Sequence, residues 1–112
     1  MHRDSYGSWV DVFTVLADPT RRAVLDLLAG GERSAGDLGQ AAPALTQPAL
    51  SRHLRVLREA GLVRVRVEGQ RRVYRLDAAP LTEVDAWVDR YRSHWTAALD
   101  RLADHLTEGD PT

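Results

Sequence analysis

The run TQPALSRHLRVLREAGLVRVRVEGQRRVYRLD, residues 46–77, changes its hydrophobic period midway, and few folds accommodate that change. Leu50, Leu54 and Leu57 recur at helical spacing, so about 47–60 predicts a helix with one apolar face. Thr46 is a capping residue, and Pro48 stands in the first turn, where a missing N–H is tolerated. Gly61 stops the helix. From there Val63, Val65 and Val67 alternate with Arg64, Arg66 and Glu68, the period of a strand. Glu68-Gly69-Gln70 supplies a turn with the glycine that positive φ needs. Arg72, Tyr74 and Leu76 then alternate with Arg71, Val73 and Arg75 on a returning strand.

The flanking segments read as helices. Trp9, Val12, Phe13 and Leu16 share one face of a first helix over about 8–17. Asp18-Pro19 is a cap followed by a proline that opens the next helix, which runs to Ala29 with Ala23, Val24, Leu27 and Leu28 inward. Gly30-Gly31 ends it. Ser34 caps a short third helix, about 35–41, with Leu38 inward, and Pro43 breaks the chain again. Pro80 opens a long last helix to about Thr107, with apolar positions at Leu81, Val84, Val88, Tyr91, Trp95, Ala98 and Leu102 in steps of three and four. The expectation is a mainly α fold with a small β-hairpin wing: four helices, the hairpin, and a fifth helix. At 112 residues it is a single domain, with 19–76 as its core of helices and hairpin.

Charge bears on the partner. Residues 51–75 hold eight arginines and two acids, a net of +6. Residues 1–50 net −2, and residues 76–112 net −5. The overall charge of −1 therefore hides a bipolar chain. All 15 basic residues are arginine, which forks onto phosphates and guanine edges better than lysine does.

On the helix from Gln47, the leucines fall on one face and Gln47, Ser51, Arg55 and Arg58 on another, with Arg52 beside them. Short groups at the leading end can approach base edges, and a major groove about 12 Å wide admits such a helix. An arginine-bearing hairpin beside it suits phosphate or minor-groove contact. Double-stranded DNA is the expected partner. The expected backbone and wing contacts are Thr46, His53, Arg55, Arg64, Arg66, Gln70, Arg71 and Arg72.

The segments LADPTRRAVLDLLAGGERS and TQPALSRHLRVLREAGLVRVRVEGQRRVYRLD resemble the ArsR-type winged helix-turn-helix family of bacterial transcriptional regulators. The resemblance spans about residues 9–106. It implies a homodimer, a reading helix at 47–60, a wing at 63–76, and repression by occupying a promoter. Carried over by position, it makes Gln47, Pro48, Ser51 and Arg52 the base-reading residues.

Several functions are weighed against these residues. The last helix carries more apolar surface than a small monomer covers, since about 25 residues span about 38 Å. Trp9, Phe13, Leu81, Val84, Val88, Tyr91, Trp95, Leu99, Leu102 and Leu106 are the expected dimer interface, with 8–17 and 80–107 as dimerisation helices. A two-fold dimer sets reading helices about 34 Å apart on a palindromic operator. Family metal sites use cysteines, of which there are none, or D-x-H and H-x-x-E/H on the last helix. His94, His105 and Glu108 echo the second spacing, but Arg92 holds the aspartate position, and no metal or cofactor is expected. Alternatives are a metal- or ligand-responsive derepressor with its site at the dimer interface, and a protein-interaction winged helix that never touches DNA. No nucleophile elbow, phosphate loop or H-E-x-x-H supports an enzyme, and Asp85 and Asp89 read as a solvated helix flank. No apolar run reaches the about 20 residues of a membrane span, and a cytoplasmic protein is expected.

Overall fold

The computed structural model describes residues 11–108. The expected helix start at Ser8, and Trp9 with it, lie outside the described residues. The chain divides into two units, residues 1–82 and 83–112.

The first unit holds α1 (Val12–Leu16), α2 (Pro19–Ala29), β1 (Arg33–Ser34), α3 (Ala35–Ala41), α4 (Gln47–Glu59), β2 (Val63–Glu68) and β3 (Arg71–Leu76). Each helix start has a local cause. Asp18 accepts the Thr20 amide at 2.8 Å ahead of Pro19. Ser34 and Asp37 form a reciprocal capping box at α3. Thr46 accepts the Ala49 amide at 3.2 Å at the head of α4, a cap worth about 1 kcal/mol.

The sheet has three strands in the order β1-β3-β2, all antiparallel, one more strand than the expected hairpin. The extra strand is two residues long, with Arg33 abreast of Tyr74 and Ser34 abreast of Val73. β3 is thus the middle strand. Val73 is buried, although alternation groups it with Arg71 and Arg75. Val67, grouped with the inward valines, is 69% exposed near the hairpin tip.

The core joins Val12 and Val15 of α1, Val24, Leu25 and Leu28 of α2, Leu38 of α3, the three α4 leucines, and Leu62, Val63, Val73 and Tyr74. α4 packs against α2 and β2, while α3 packs against β1 and β3. On α2 the expected inward set is corrected: Ala23 is exposed and Leu25 is buried.

The second unit is α5, whose helix runs Leu81–Glu108 from the last residues of the first unit. Arg92 bridges Asp85 at 2.5 Å and Asp89 at 3.2 Å along its surface. No helix is long and apolar enough to cross a membrane among the described residues.

Candidate nucleic-acid interface

α4 is built to show one face. Its leucines at 50, 54 and 57 are buried, while Gln47, Pro48, Ser51, Arg52, Arg55 and Arg58 are exposed. The leading end therefore presents an amide, a hydroxyl and a guanidinium beyond the capping hydroxyl of Thr46. That hydroxyl accepts from Ala49 and keeps its own proton to donate outward. His53 is half-buried on the flank of α4. It contributes, after the Thr20 amide and Arg21, to holding the Asp18 carboxyl below its usual range.

The exit from α4 aims the hairpin. Gly61 has φ +78°, its amide reaches the Arg58 carbonyl at 2.9 Å, and the Leu62 amide reaches the Leu57 carbonyl at 3.0 Å. This is a Schellman close, sealed by Leu57 and Leu62, both fully buried. One residue later β2 begins.

The hairpin turn is Gly69-Gln70, since Glu68 pairs with Arg71. Gly69 has φ +60° and no non-glycine residue among those described has positive φ, so the turn is of the II′ kind, which suits the strand twist. Gln70 is exposed at the tip. Arg71 and Arg72 follow on opposite faces of β3, both exposed.

Not every wing arginine stands free. Arg64 Nε donates to Asp77 at 2.7 Å. Arg66 bridges Glu32 at 2.5 Å and Glu68 at 2.8 Å. The bond to Arg64, then the Ala79 amide, keeps the Asp77 carboxyl below its usual range. The bond to Arg66 does the same for Glu32, and Arg66 in turn is held more firmly protonated. By contrast, Arg52, Arg55, Arg71 and Arg72 enter no ion pair among the described residues.

Two residues outside the expected contact set join the cationic surface. Arg58 and Arg75 line an open groove of about 790 Å3 between α4 and the hairpin, together with Arg55, Arg64, Arg66 and Glu59. The signal for Arg75 is hairpin register, which sets it directly opposite Arg64.

The expected dimer residues divide. Phe13, Leu81, Val84 and Val88 are half-buried. Tyr91, Trp95, Leu99, Leu102 and Leu106 are exposed, and Trp87 extends their stripe toward the helix start. The Trp87 and Tyr91 rings lie 5.2 Å apart at 56°. Among the described residues no group of three or more histidines, cysteines or acids is placed to hold a metal ion.

Comparison with known proteins agrees with this geometry. A helix-turn-helix domain family matches residues 16–66. The chain is 41% identical over 109 residues to the HTH-type transcriptional regulator Rv2034 of Mycobacterium tuberculosis, covering 96% of this chain and 98% of that protein. It is 36% identical over 78 residues to the transcriptional repressor SdpR of Bacillus subtilis, covering 70% of this chain and 86% of that protein. Among solved structures, an ArsR family transcriptional regulator superposes with a TM-score of 0.68 at 31% identity, over 77% of this chain and 93% of that one.

Proposed function

We propose that this chain, which belongs to the ArsR family of winged helix-turn-helix transcriptional regulators, represses transcription as a homodimer on a two-fold symmetric operator. It is a DNA-binding regulator and not an enzyme. The observation that carries the proposal is the division of α4: leucines 50, 54 and 57 are buried, while Gln47, Ser51 and Arg52 face outward at its capped end. Arginine pairs bidentately with guanine and glutamine with adenine, so this end reads bases in the major groove. Arg71, Arg72 and Gln70 at the hairpin tip reach the flanking backbone or minor groove. Residues 19–76 form the DNA-binding core.

Dimerisation falls to residues 8–17 and 80–107. What supports it is the exposed stripe of Trp87, Tyr91, Trp95, Leu99, Leu102 and Leu106, large apolar side chains that a water-facing helix does not carry in such number. In a two-fold dimer on DNA the two α4 helices would lie about one DNA turn apart. Repression is supported by the likeness to the Bacillus subtilis repressor. A protein of this kind works in the cytoplasm, where the chromosome is.

The test is selection of bound fragments from a random duplex pool, followed by sequencing. The expected result is an inverted repeat with half-site centres about 10 base pairs apart. An asymmetric motif, or no enrichment at all, overturns the proposal.

A further inference from the structure

The hairpin face that carries Arg64, Arg66 and Arg75 is not a bare cationic surface. Register sets Arg64 directly opposite Arg75, and like charges abreast on neighbouring strands repel. Three carboxylates are interleaved with them. Asp77 holds Arg64, while Glu32 and Glu68 hold Arg66 from two sides. Carrying the β1–β3 register one residue back sets Glu32 abreast of Arg75. Arg75 accordingly acts on the Glu32 and Asp77 carboxyls without a contact ion pair to either. Across the groove, Arg55 and Arg58 of α4 complete the cationic lining.

The place of this groove matters. A helix in the major groove and a ribbon at the next minor groove straddle one sugar-phosphate strand, the ridge between the two grooves. The space between α4 and the hairpin is open and lined by five arginines, with Glu59 of α4 and two valines among them, and it is where that ridge is taken to pass. The carboxylates do not make it a stability device, since exposed ion pairs contribute little to folding. They stand instead where a phosphate would compete for the same guanidinium groups.

Resting on the DNA-binding function proposed above, we infer that this groove is a phosphodiester seat and that Glu32, Glu68 and Asp77 are its resident counter-ions. Arg64 and Arg66 must release a carboxylate to take a backbone phosphate. Each phosphate bond there replaces a carboxylate bond, so its net benefit is small, and the freed carboxylate repels the incoming strand. Duplex of any sequence is attracted less strongly in consequence. A site that also satisfies the reading residues of α4 makes up the difference, so the acids widen the gap between operator and random DNA.

The test measures affinity for random-sequence duplex by fluorescence anisotropy across a salt series, with the full chain. Glu32→Gln and Asp77→Asn are the informative variants. Glu32 is exposed, and an asparagine at 77 keeps an oxygen to accept the Ala79 amide, so the loop stays intact. Each is expected to tighten random-duplex binding by about three- to tenfold and to steepen the slope of log K against log salt by about 0.9. Asp104→Asn on α5 changes net charge equally and is expected to do neither. In the Glu32→Gln background, Arg66→Ala is expected to erase the tightening.

No tightening in either variant, an equal tightening from Asp104→Asn, or a tightening that survives Arg66→Ala overturns the inference. A wild-type chain that ignores duplex DNA even at low salt overturns the DNA-binding function with it. Wild-type binding with no tightening in the variants overturns this inference alone.

Discussion

The amide of Leu62 donates to the carbonyl of Leu57 at 3.0 Å, and both side chains are fully buried. This single close couples the last turn of α4 to the residue just before β2, so the direction of the hairpin follows from the direction of the helix.

Gly61 makes that close possible, with φ +78° and the space beside it limited by Pro80 Cγ at 3.4 Å from an added Cβ. Gly61→Ala forces a side chain into the left-handed region and is expected to cost about 1–3 kcal/mol. Urea unfolding gives the cost. DNA affinity should fall further than stability alone explains, because helix and hairpin lose their mutual angle. Unchanged stability would show that the close tolerates a Cβ.

Base reading and phosphate contact separate in a mutant series. Ser51→Ala and Arg52→Ala are expected to lose about 1–3 kcal/mol of discrimination at the base each one faces, with the fold intact. Arg71→Ala and Arg72→Ala are expected to weaken binding to every sequence and flatten the salt slope by about 0.9 each. Competition binding with operator and scrambled duplexes reads both effects. Equal losses on both duplexes for the first pair would remove Ser51 and Arg52 from the reading set.

Acid should loosen the first unit by only a small amount, since the ion pairs involved are largely exposed and screened by water. The carboxyls of Asp77 and Glu32 titrate in the folded chain below 3.8 and 4.5, the values expected without a partner, because Arg64 and Arg66 hold them ionised. Their stabilisation is complete above about pH 5 and is lost as pH falls through the folded-state values, since the unfolded chain takes up protons first. Urea midpoints measured from pH 7 down to pH 3 should drop. The double variant Asp77→Asn and Glu32→Gln should drop less steeply, and an identical fall would assign acid sensitivity elsewhere.

The stripe on α5 predicts assembly. Trp95 and Leu99 are 54% and 63% exposed in the single chain. Trp95→Glu and Leu99→Glu are expected to shift sedimentation from dimer to monomer, since a charge buried at an apolar interface without a partner is costly. Operator affinity should fall with it, while binding to an isolated half-site is retained. A dimer that survives both changes would place the interface away from this stripe.

Much of this molecule is legible in the sequence because its punctuation is local. Asp18-Pro19, Ser34 with Asp37, and Thr46 ahead of Pro48 each cap a helix through residues two or three positions away. Gly61 and Gly69 mark the two places where φ turns positive around the hairpin. What escapes a reading by period is long-range. β1 has two residues and no alternation of its own, and its partners Val73 and Tyr74 are about forty residues away. The burial of Val73 follows from that strand, not from its neighbours in sequence. Arg64 and Arg66 look like free phosphate ligands when read beside Val63 and Val65. Only the fold brings Asp77 and Glu32 onto them, 13 and 34 residues distant. The outward Val67 marks where the hairpin runs past the core.

The head of α4 has one further property. A helix start ordinarily offers a small fan of spare amides that attracts any anion. Here Pro48 has no amide hydrogen to give, and the Ala49 amide is already turned back onto Thr46. The tip therefore has two fewer amides to offer a phosphate than an ordinary helix start, so more of what it says to DNA is spoken by side chains.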